Sequence, residues 1–550
     1  MRHTAAHVLA QAVLKFFPDA KLGIGPAIDD GFYYDFEFSE ALEEEHLEEI
    51  EKEMKKIIKA DLPLKQIHMS RREAKKFLTE KEQPYKLELF EDIEDKELSF
   101  YVTGEDEFID LCRGPHVEST GQIGAIKLRS IAGAYWKGEE DRPMLTRIYG
   151  LGFKSQKKLD EHVEMLEEAE KRDHRVLGPQ LGLFMFHDTA PGMPYWLPNG
   201  LIVYNQLINY WREEHRKHNY QEIMSPLVNK KELWDISGHW EHYKENMFVA
   251  DMGEHEVYGV KPMNCPNAMV VFQSRQVSYK DLPLRLSDVD RLHRYERYGT
   301  LNGLLRVRSL QQDDSHNFIS EDMIGDEFEH IFELCKQFYG IFDMEYTFRL
   351  GTRPEKFMGD EESWEKAEEA LKEALEKSKV PYFVEEGDGA FYGPKVDIIM
   401  KDVLGREWQM GTIQLDYQIP KNFDLKYTDS DGEKKMPVVI NRVIYGSLER
   451  FIGILIEHYG GALPLWLAPV QALVIPIADR HEEYAESIVA ALKDAQMRVQ
   501  VDSRSETLQA KVRDAELSKI PYIIIVGDKE IETKTASVRA RSTKEVGLMK

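Results

Sequence analysis

Apolar residues recur at helical spacing in some stretches of the chain and alternate with polar ones in others. Leu9, Val13 and Phe16 predict a helix over 3–17 that stops at Pro18. GFYYDFEF reads as a strand and Glu43–Lys59 as an acidic helix. Lys154–Arg172 is a polar helix whose only apolar stripe is Leu159, Val163 and Leu166, which suits a rigid connector between domains. Beyond it, an amphipathic helix over Leu201–His218 leads to a strand ending at Pro226, and KPMNCPNAMVVF places Cys265 between a strand and a helix. Two alternating strands, GDGAFYGPKVDIIM and GREWQMGTIQLDYQIP, bring Lys395, Asp397, Gln409 and Gln414 towards one cleft, and INRVIYGSLERFIGILIEHYGG is a strand running into a helix. From about Trp466, strands (ALVIPIA, VQVD, YIIIVG, SVRAR) alternate with helices (His481–Gln496, Glu506–Ser518), the pattern of a small α/β domain around a largely parallel sheet.

These elements give an α+β multidomain chain. At 550 residues it is too long for one core. The predicted domains are residues 1–153, a linker helix 154–173, a large domain 174–465 and a last domain 466–550.

One stretch concentrates charge in an otherwise half-buried pattern. Residues Arg291–His316 read as a hairpin in which Arg294 and Glu296 share a face, as do Arg306 and Arg308, with Gly299, Asn302 and Gly303 in the turn and an Asp313/Asp314/His316 cluster at the end. A single Arg-x-Arg is usually a solvated surface. Here aromatic and aliphatic residues lie between the charges, and paired guanidinium forks suit a nucleotide triphosphate. Gly446 and Ser447 before a helix, with Arg450 one turn in, form a second anion site.

Charge and cysteine content narrow the classes. The chain carries 98 acidic and 72 basic residues, a net charge of −26, so nucleic-acid contact must rest on local basic patches. Arg504, Lys511, Arg513, Arg539 and Arg541 offer such a face in the last domain, against the alternative of an ordinary solvated surface. Three cysteines far apart in sequence argue against a disulfide scaffold, and Cys335 sits in an apolar helical run as core. The amino terminus lacks the pattern of a signal peptide and no stretch approaches a membrane span, so the cytoplasm is expected.

His3 and His7 lie four apart on the first predicted helix, and Cys112 and His116 are also four apart in DLCRGPHVEST. Three imidazoles and a thiol in one domain could bind zinc or orient a water, with Asp110 placed to orient a histidine. Cys265 alone reads as a buried structural thiol.

Taken together the parts resemble the class II aminoacyl-tRNA synthetases, with the helix and strand ending at Pro226 as motif 1, the Arg294/Glu296 hairpin as motif 2 and GSLERF with Arg450 as motif 3. More narrowly, the chain is similar along its length to the bacterial threonyl-tRNA synthetases: HxxxH with LCRGPH matches their editing domain, and KPMNCP, RVRSLQQDDSH, FYGPK and WQMGT match their catalytic core. The resemblance implies an antiparallel catalytic sheet flanked by helices, an editing domain before it, an anticodon-binding domain after it, a homodimer built through motif 1, and tRNA(Thr), L-threonine, ATP and Mg²⁺ as partners. It assigns the α-phosphate to Arg294, the adenine amino group to Glu296 and the rest of the triphosphate to Arg306 and Arg450. Gln312, Asp314, Tyr392, Lys395, Gln409, Gln414 and Ser447 fall in the same motifs as catalytic-site residues. His3, His7, Asp110, Cys112 and His116 match the editing cluster, which removes serine from mischarged tRNA.

The resemblance also implies a zinc ion that binds the amine and hydroxyl of threonine. Cys265 and His316 match two of its ligands, but the third position, histidine in the family, is Asn441, a weaker ligand than imidazole. The family's leading ubiquitin-like domain has no counterpart before His3, and its helix after the SVRAR strand is expected to be missing. Arg504–Gln509 departs from the family's R-N-E-K-I-G. Two alternatives therefore stand beside a charging enzyme: a synthetase-like paralogue that binds tRNA or an amino acid as a regulator, and a hydrolase that retains only editing.

Overall fold

The computed structural model describes residues 1–105, 107–139, 141–253, 256–402, 405–541 and 546–549, and divides into two compact units, Met1–Glu168 and Ala169–Lys550. The division falls inside the polar helix, which spans Gln156–Arg172.

The first unit runs through α1 (Arg2–Phe16), β1 (Gly31–Glu37), α2 (Glu45–Lys59), β2 (Leu64–Ser70), α3 (Pro84–Asp92), β3 (Glu97–Thr103), β4 (Phe108–Leu111), β5 (Ala125–Tyr135) and β6 (Met144–Phe153). β1, β6 and β5 are successive antiparallel neighbours in one sheet, and β2, β3 and β4 form a second. α1 is rich in small residues, and its Ala5, Ala6, Leu9, Ala10, Ala12 and Val13 are buried in one core with Phe32 and Phe36 of β1. Packing that close carries His7 inward as well, to 2% exposure.

The second unit contains α4 (His174–Gln180), α5 (Pro198–Lys217), β7 (Gln221–Glu222), α6 (Cys265–Gln273), β8 (Leu284–Asp288), β9 (Arg291–His293), β10 (Ser309–Ile319), α7 (Ile324–Gly340), β11 (Tyr346–Gly351), β12 (Tyr382–Glu385), β13 (Lys395–Lys401), β14 (Glu407–Asp416), β15 (Val438–Ser447) and α8 (Leu448–Tyr459). The strands form one sheet in the order β7-β8-β10-β15-β14-β13-β11-β12, with β9 paired to β10. All pairs are antiparallel except the two edges, β7 with β8 and β11 with β12. The expected strand before Pro226 is only the two-residue β7. α7 and α8 pack their apolar faces into the main core, where Cys335 is fully buried as expected.

The last part of the chain holds β16 (Ala472–Pro476), α9 (Glu482–Asp494), β17 (Val499–Val501), α10 (Leu508–Leu517), β18 (Tyr522–Val526), β19 (Ala536–Ala540) and β20 (Val546–Met549). β16, β17 and β18 are parallel, but β19 and β20 add antiparallel, so the sheet is mixed rather than largely parallel. The reason is length: residues 527–535 between β18 and β19 are too few for a parallel crossover. A strand, β20, follows SVRAR. Four of the five basic residues expected on one face have partners close by. Lys511 is buried on the Asp502 carbonyl, Arg504 pairs with Asp502 and Asp514, Arg539 with Glu516, and Arg541 caps the Ala462 and Leu463 carbonyls.

Candidate active and editing sites

Antiparallel register sets the catalytic face. His316 of β10 stands opposite Asn441 of β15, Asn441 opposite Gln414 of β14, and Gln414 opposite Lys395 of β13, so one row of side chains crosses four strands. Asp314 lies two residues from His316 on that face. Asp313 does not: it points through the opposite face, where its carboxylate accepts from the backbone N–H groups of Ile444, Tyr445 and Gly446 at 3.0–3.1 Å. The expected Asp313/Asp314/His316 cluster is therefore two residues of a site and one that shapes β15 at its turn. Gly446 is required there, with φ +83° and no room for a Cβ against the Met410 carbonyl.

The metal positions carry orphaned polar atoms. His316 is fully buried, yet among the described residues neither ring nitrogen has a hydrogen-bond partner, and Asp314 and Asp288 carboxylate oxygens lie 3.9 and 3.8 Å away. Asn441 donates from Nδ2 to Asp416 at 3.3 Å, which leaves its buried Oδ1 without a partner. Burial and the Asp314, Asp416 and Asp288 charges push the Cys265 thiol well up, so the first residue of α6 shares this carboxylate-rich pocket. Buried polar atoms are normally paired, and an imidazole with two free nitrogens beside acids suits a cation. The residues present fit a metal: Asp288, Asp314 and His316 offer ligand atoms within 4.8 Å of one another, and the Asn441 amide oxygen stands across the sheet from His316 as a weak further donor.

The motif 2 residues are arranged differently from the expected hairpin. The β9–β10 ladder ends at His293 opposite Ser309 and is continued by one backbone bond, Arg294 N–H to the Arg308 carbonyl at 3.0 Å, so Glu296 and Arg306 lie in the connection and not on paired strands. The chain turns at once, Glu296 N–H donating to the Arg294 carbonyl at 2.9 Å, and Arg308 Nε donates to the Glu296 carbonyl at 2.8 Å. Arg306 Nε reaches Glu296 Oε2 at 3.1 Å, Arg294 Nε reaches the Pro262 carbonyl at 3.2 Å, and Arg450 holds the Leu305 and Gln409 carbonyls at 2.9 Å. Burial, then Arg306 and Arg294, pull Arg450 below its ordinary value, while Glu296 opposes them. Three guanidiniums thus converge with one acid among them. Ser447 caps α8 by accepting from Arg450 N–H at 3.1 Å, and Gln312 stands opposite Ser447 across the sheet.

The other expected cleft residues divide. Asp397 is fully buried and takes Lys395 at 2.9 Å, Arg349 at 2.7 Å and Gln409 at 2.8 Å. Gln414 instead accepts from the buried Tyr392 hydroxyl. Arg349 was not legible in the sequence, because it sits alone in β11.

In the first unit His3 and His7 of α1 meet the loop after β4. Cys112 Sγ lies 3.3 Å from His3 Nε2 and 3.2 Å from His116 Nε2, and the His7 and His116 rings are 4.2 Å apart. Thr4 Oγ1 accepts from the Val117 N–H and lies 3.1 Å from His116 Nδ1, tying the His116 ring to α1. Burial depresses His116 to about 2 and His7 to about 4, and raises Cys112, so imidazoles and thiol are neutral at pH 7. Asp110 lies 3.7 Å from His7 Nε2, a charge contact longer than a hydrogen bond. Two partners escaped sequence reasoning: Lys86 of α3, paired with Asp110 at 2.6 Å, and Tyr34 of β1, donating to it at 2.6 Å. No motif marks either.

Three family models match stretches of this chain. Residues 98–149 match the threonyl and alanyl tRNA synthetase second additional domain, 248–459 the tRNA synthetase class II core domain (G, H, P, S and T), and 471–550 an anticodon binding domain. The chain is 52% identical to the threonine–tRNA ligase of Caldanaerobacter subterraneus subsp. tengcongensis, over 99% of its own length and 84% of the relative's. It is 53% identical to that of Thermotoga neapolitana, over 99% and 85%. Among solved structures, the RNA binding domain of threonyl-tRNA synthetase from Cryptosporidium parvum Iowa II superposes with a TM-score of 0.67 at 41% identity, covering 68% of this chain and 95% of that one.

Proposed function

The chain belongs to the threonine–tRNA ligase family, and from that premise we propose how its residues share the work of activating L-threonine with ATP and Mg²⁺, charging tRNA(Thr) and hydrolysing mischarged seryl-tRNA. The convergence of Arg294, Arg306 and Arg450 carries the ATP assignment, because three cations with one acid among them need an anion. Arg294 takes the α-phosphate, Arg306 and Arg450 the remaining phosphates, and Glu296 accepts from the adenine amino group. The threonine carboxylate attacks the α-phosphorus in line and pyrophosphate leaves. The residues act by positioning and by neutralising charge. Gln312, Asp314, Tyr392, Lys395, Gln409, Gln414 and Ser447 line or brace the amino-acid side of the same face.

Cys265 and His316, with Asn441 at the third position, would hold zinc. When bound, zinc supplies a Lewis-acid contact for the amine and hydroxyl of threonine. The orphaned His316 nitrogens and Asn441 Oδ1 support this set, and the amide makes it weaker than one with three strong ligands.

In the editing domain His3, His7, Cys112 and His116 orient a water against the seryl ester, and Asp110 holds His7. Domains are assigned as residues 1–153 for editing, 154–173 for the linker, 174–465 for catalysis and 466–550 for anticodon binding. We place the enzyme in the cytoplasm; among the described residues no helix is long and apolar enough to cross a membrane. A homodimer through motif 1 is supported by exposed apolar side chains beside α5 and β7, Leu201 at 47%, Met224 at 86% and Val228 at 51%.

The regulator and editing-only alternatives give way to a charging enzyme on the family match over the catalytic core as well as the editing domain. With ATP, Mg²⁺, Zn²⁺ and threonine, the purified chain is expected to exchange pyrophosphate into ATP; no threonine-dependent exchange overturns the reading.

A further inference from the structure

Behind the phosphate side of the site lies a buried histidine that the reaction above does not use. His174 opens α4 and is 1% exposed. Its Nε2 accepts from the backbone N–H of Leu304 at 3.0 Å, and its Nδ1 donates to Glu457 Oε1 at 2.6 Å. An imidazole that accepts at Nε2 and donates at Nδ1 is neutral and in one tautomer. The Glu457 carboxylate fixes that tautomer. Burial lifts this carboxyl, but His174 and Arg406 outweigh burial and hold it below its ordinary value.

The contact joins two phosphate-binding parts. Residues 302–306 form a tight turn, with Asn302 and Arg306 exchanging backbone hydrogen bonds at 3.2 and 3.3 Å. That turn lies along one face of α8. Arg450 holds the Leu305 carbonyl, a Cβ at Gly453 would meet Leu304 Cβ at 3.2 Å, and Glu457 reaches Leu304 through His174. Positions 450, 453 and 457 are three and four apart, so they share a face. Gly303, at φ +49°, has no space for a Cβ against His174 Nε2. Leu304 and Leu305 are buried, so water cannot replace the lost acceptor.

We propose that His174 is a positioning residue for ATP, which locks the 302–306 turn to α8 and so fixes Arg306 relative to Arg450 before the triphosphate arrives. The proposal rests on the assignment of those two arginines to ATP. Three variants of the full chain separate it from simple packing. His174→Asn keeps a donor near Nδ1 for Glu457 and loses the acceptor for Leu304. His174→Gln carries an amide oxygen near Nε2 and keeps that acceptor, while His174→Phe removes both bonds.

In threonine-dependent pyrophosphate exchange, the Asn and Phe variants are expected to raise KM for ATP roughly three- to tenfold, the worth of one lost hydrogen bond. KM for threonine and kcat should stay within about twofold, and the Gln variant close to wild type. An unchanged kcat and KM for threonine report a folded second unit, and seryl-tRNA deacylation, carried by the first unit, should be unchanged in all three. An unchanged KM for ATP in the Asn variant, or an equal rise in the Gln and Phe variants, overturns the proposal. If the Asn and Phe variants do not fold, the Gln variant decides alone: a near-wild-type KM for ATP sustains the role and a tenfold rise refutes it. Absence of exchange in the wild type would strike the ATP assignment itself and not the part given to His174.

Discussion

Replacing Lys86 with methionine tests the charge balance beneath the editing cluster. Lys86 is 3% exposed and Asp110 is 4% exposed, and they pair at 2.6 Å. Burial pushes the Asp110 carboxyl up, but Lys86, His7 and Tyr34 outweigh burial and hold it below its ordinary value. A depressed carboxylate contributes stability above its unfolded pKa, near 4, and loses it as pH falls through the folded value. Lys86→Met removes the largest opposing charge and leaves a buried carboxylate with one hydroxyl and a neutral imidazole. Breaking a buried pair in this way costs about 3–5 kcal/mol. At neutral pH, amides of α1 and β4 that exchange only through opening of this core should then exchange roughly 10²- to 10⁴-fold faster. Asp110 should also titrate at higher pH, so protection in the variant improves as pH is lowered towards 5, whereas the wild type keeps this contribution over that range and loses it only below about pH 4. The double variant K86M/D110N, without a buried charge, should recover most of the protection. Hydrogen exchange followed by mass spectrometry reads all three; equal protection in K86M and K86M/D110N would refute the electrostatic account and leave only lost packing.

Asn441→His should raise zinc content and threonine-over-valine discrimination, and equal metal in both proteins by elemental analysis would contradict a weakened site. Cys112→Ala with His116→Ala should lower seryl-tRNA deacylation at least about 10²-fold with pyrophosphate exchange intact; unaltered deacylation would remove the cluster from editing. Arg450→Ala should cut exchange by about 10²-fold or more through loss of a phosphate contact and of the brace on Leu305, and a change under threefold would separate it from the triphosphate.

Much of this was legible because it followed from period and spacing. α1, α5 and α8 declare themselves by apolar spacing and by Pro18, Pro198 and Ser447 at their ends. The period of two in β10 already separates Asp313 from Asp314 and His316, so their apparent cluster could have been resolved in advance. The motif 2 connection could not. Its R-x-E and R-x-R alternation looks like strand, yet the ladder stops where Glu296 N–H finds the Arg294 carbonyl, a choice made by local turn geometry. Lys86 and His174 were invisible for a different reason. Each lies on a short helix with its partner far along the chain, Asp110 for one and Glu457 and Leu304 for the other, and only tertiary folding makes them neighbours.

The two sites bear on each other through specificity. An apolar pocket separates threonine from isosteric valine only roughly 10- to 200-fold, whereas a site that demands the hydroxyl reaches about 10⁴. Under the proposed zinc assignment, Asn441 in the third position would leave that demand more heavily to Cys265 and His316 and to the buried acids Asp314 and Asp416 around them. Serine keeps the hydroxyl and passes any such test, so it must be removed later. The proposed editing cluster suits that removal, because its thiol and imidazoles are neutral and their polar atoms lie within 4.8 Å of one another, offering polar contacts to a seryl hydroxyl and a water. The same polar lining offers nothing to a valyl side chain. Weak metal binding at Asn441 would therefore let valine errors through uncorrected while serine errors are cleared, and charging assays with the two amino acids should diverge in that direction, with the divergence closing in Asn441→His.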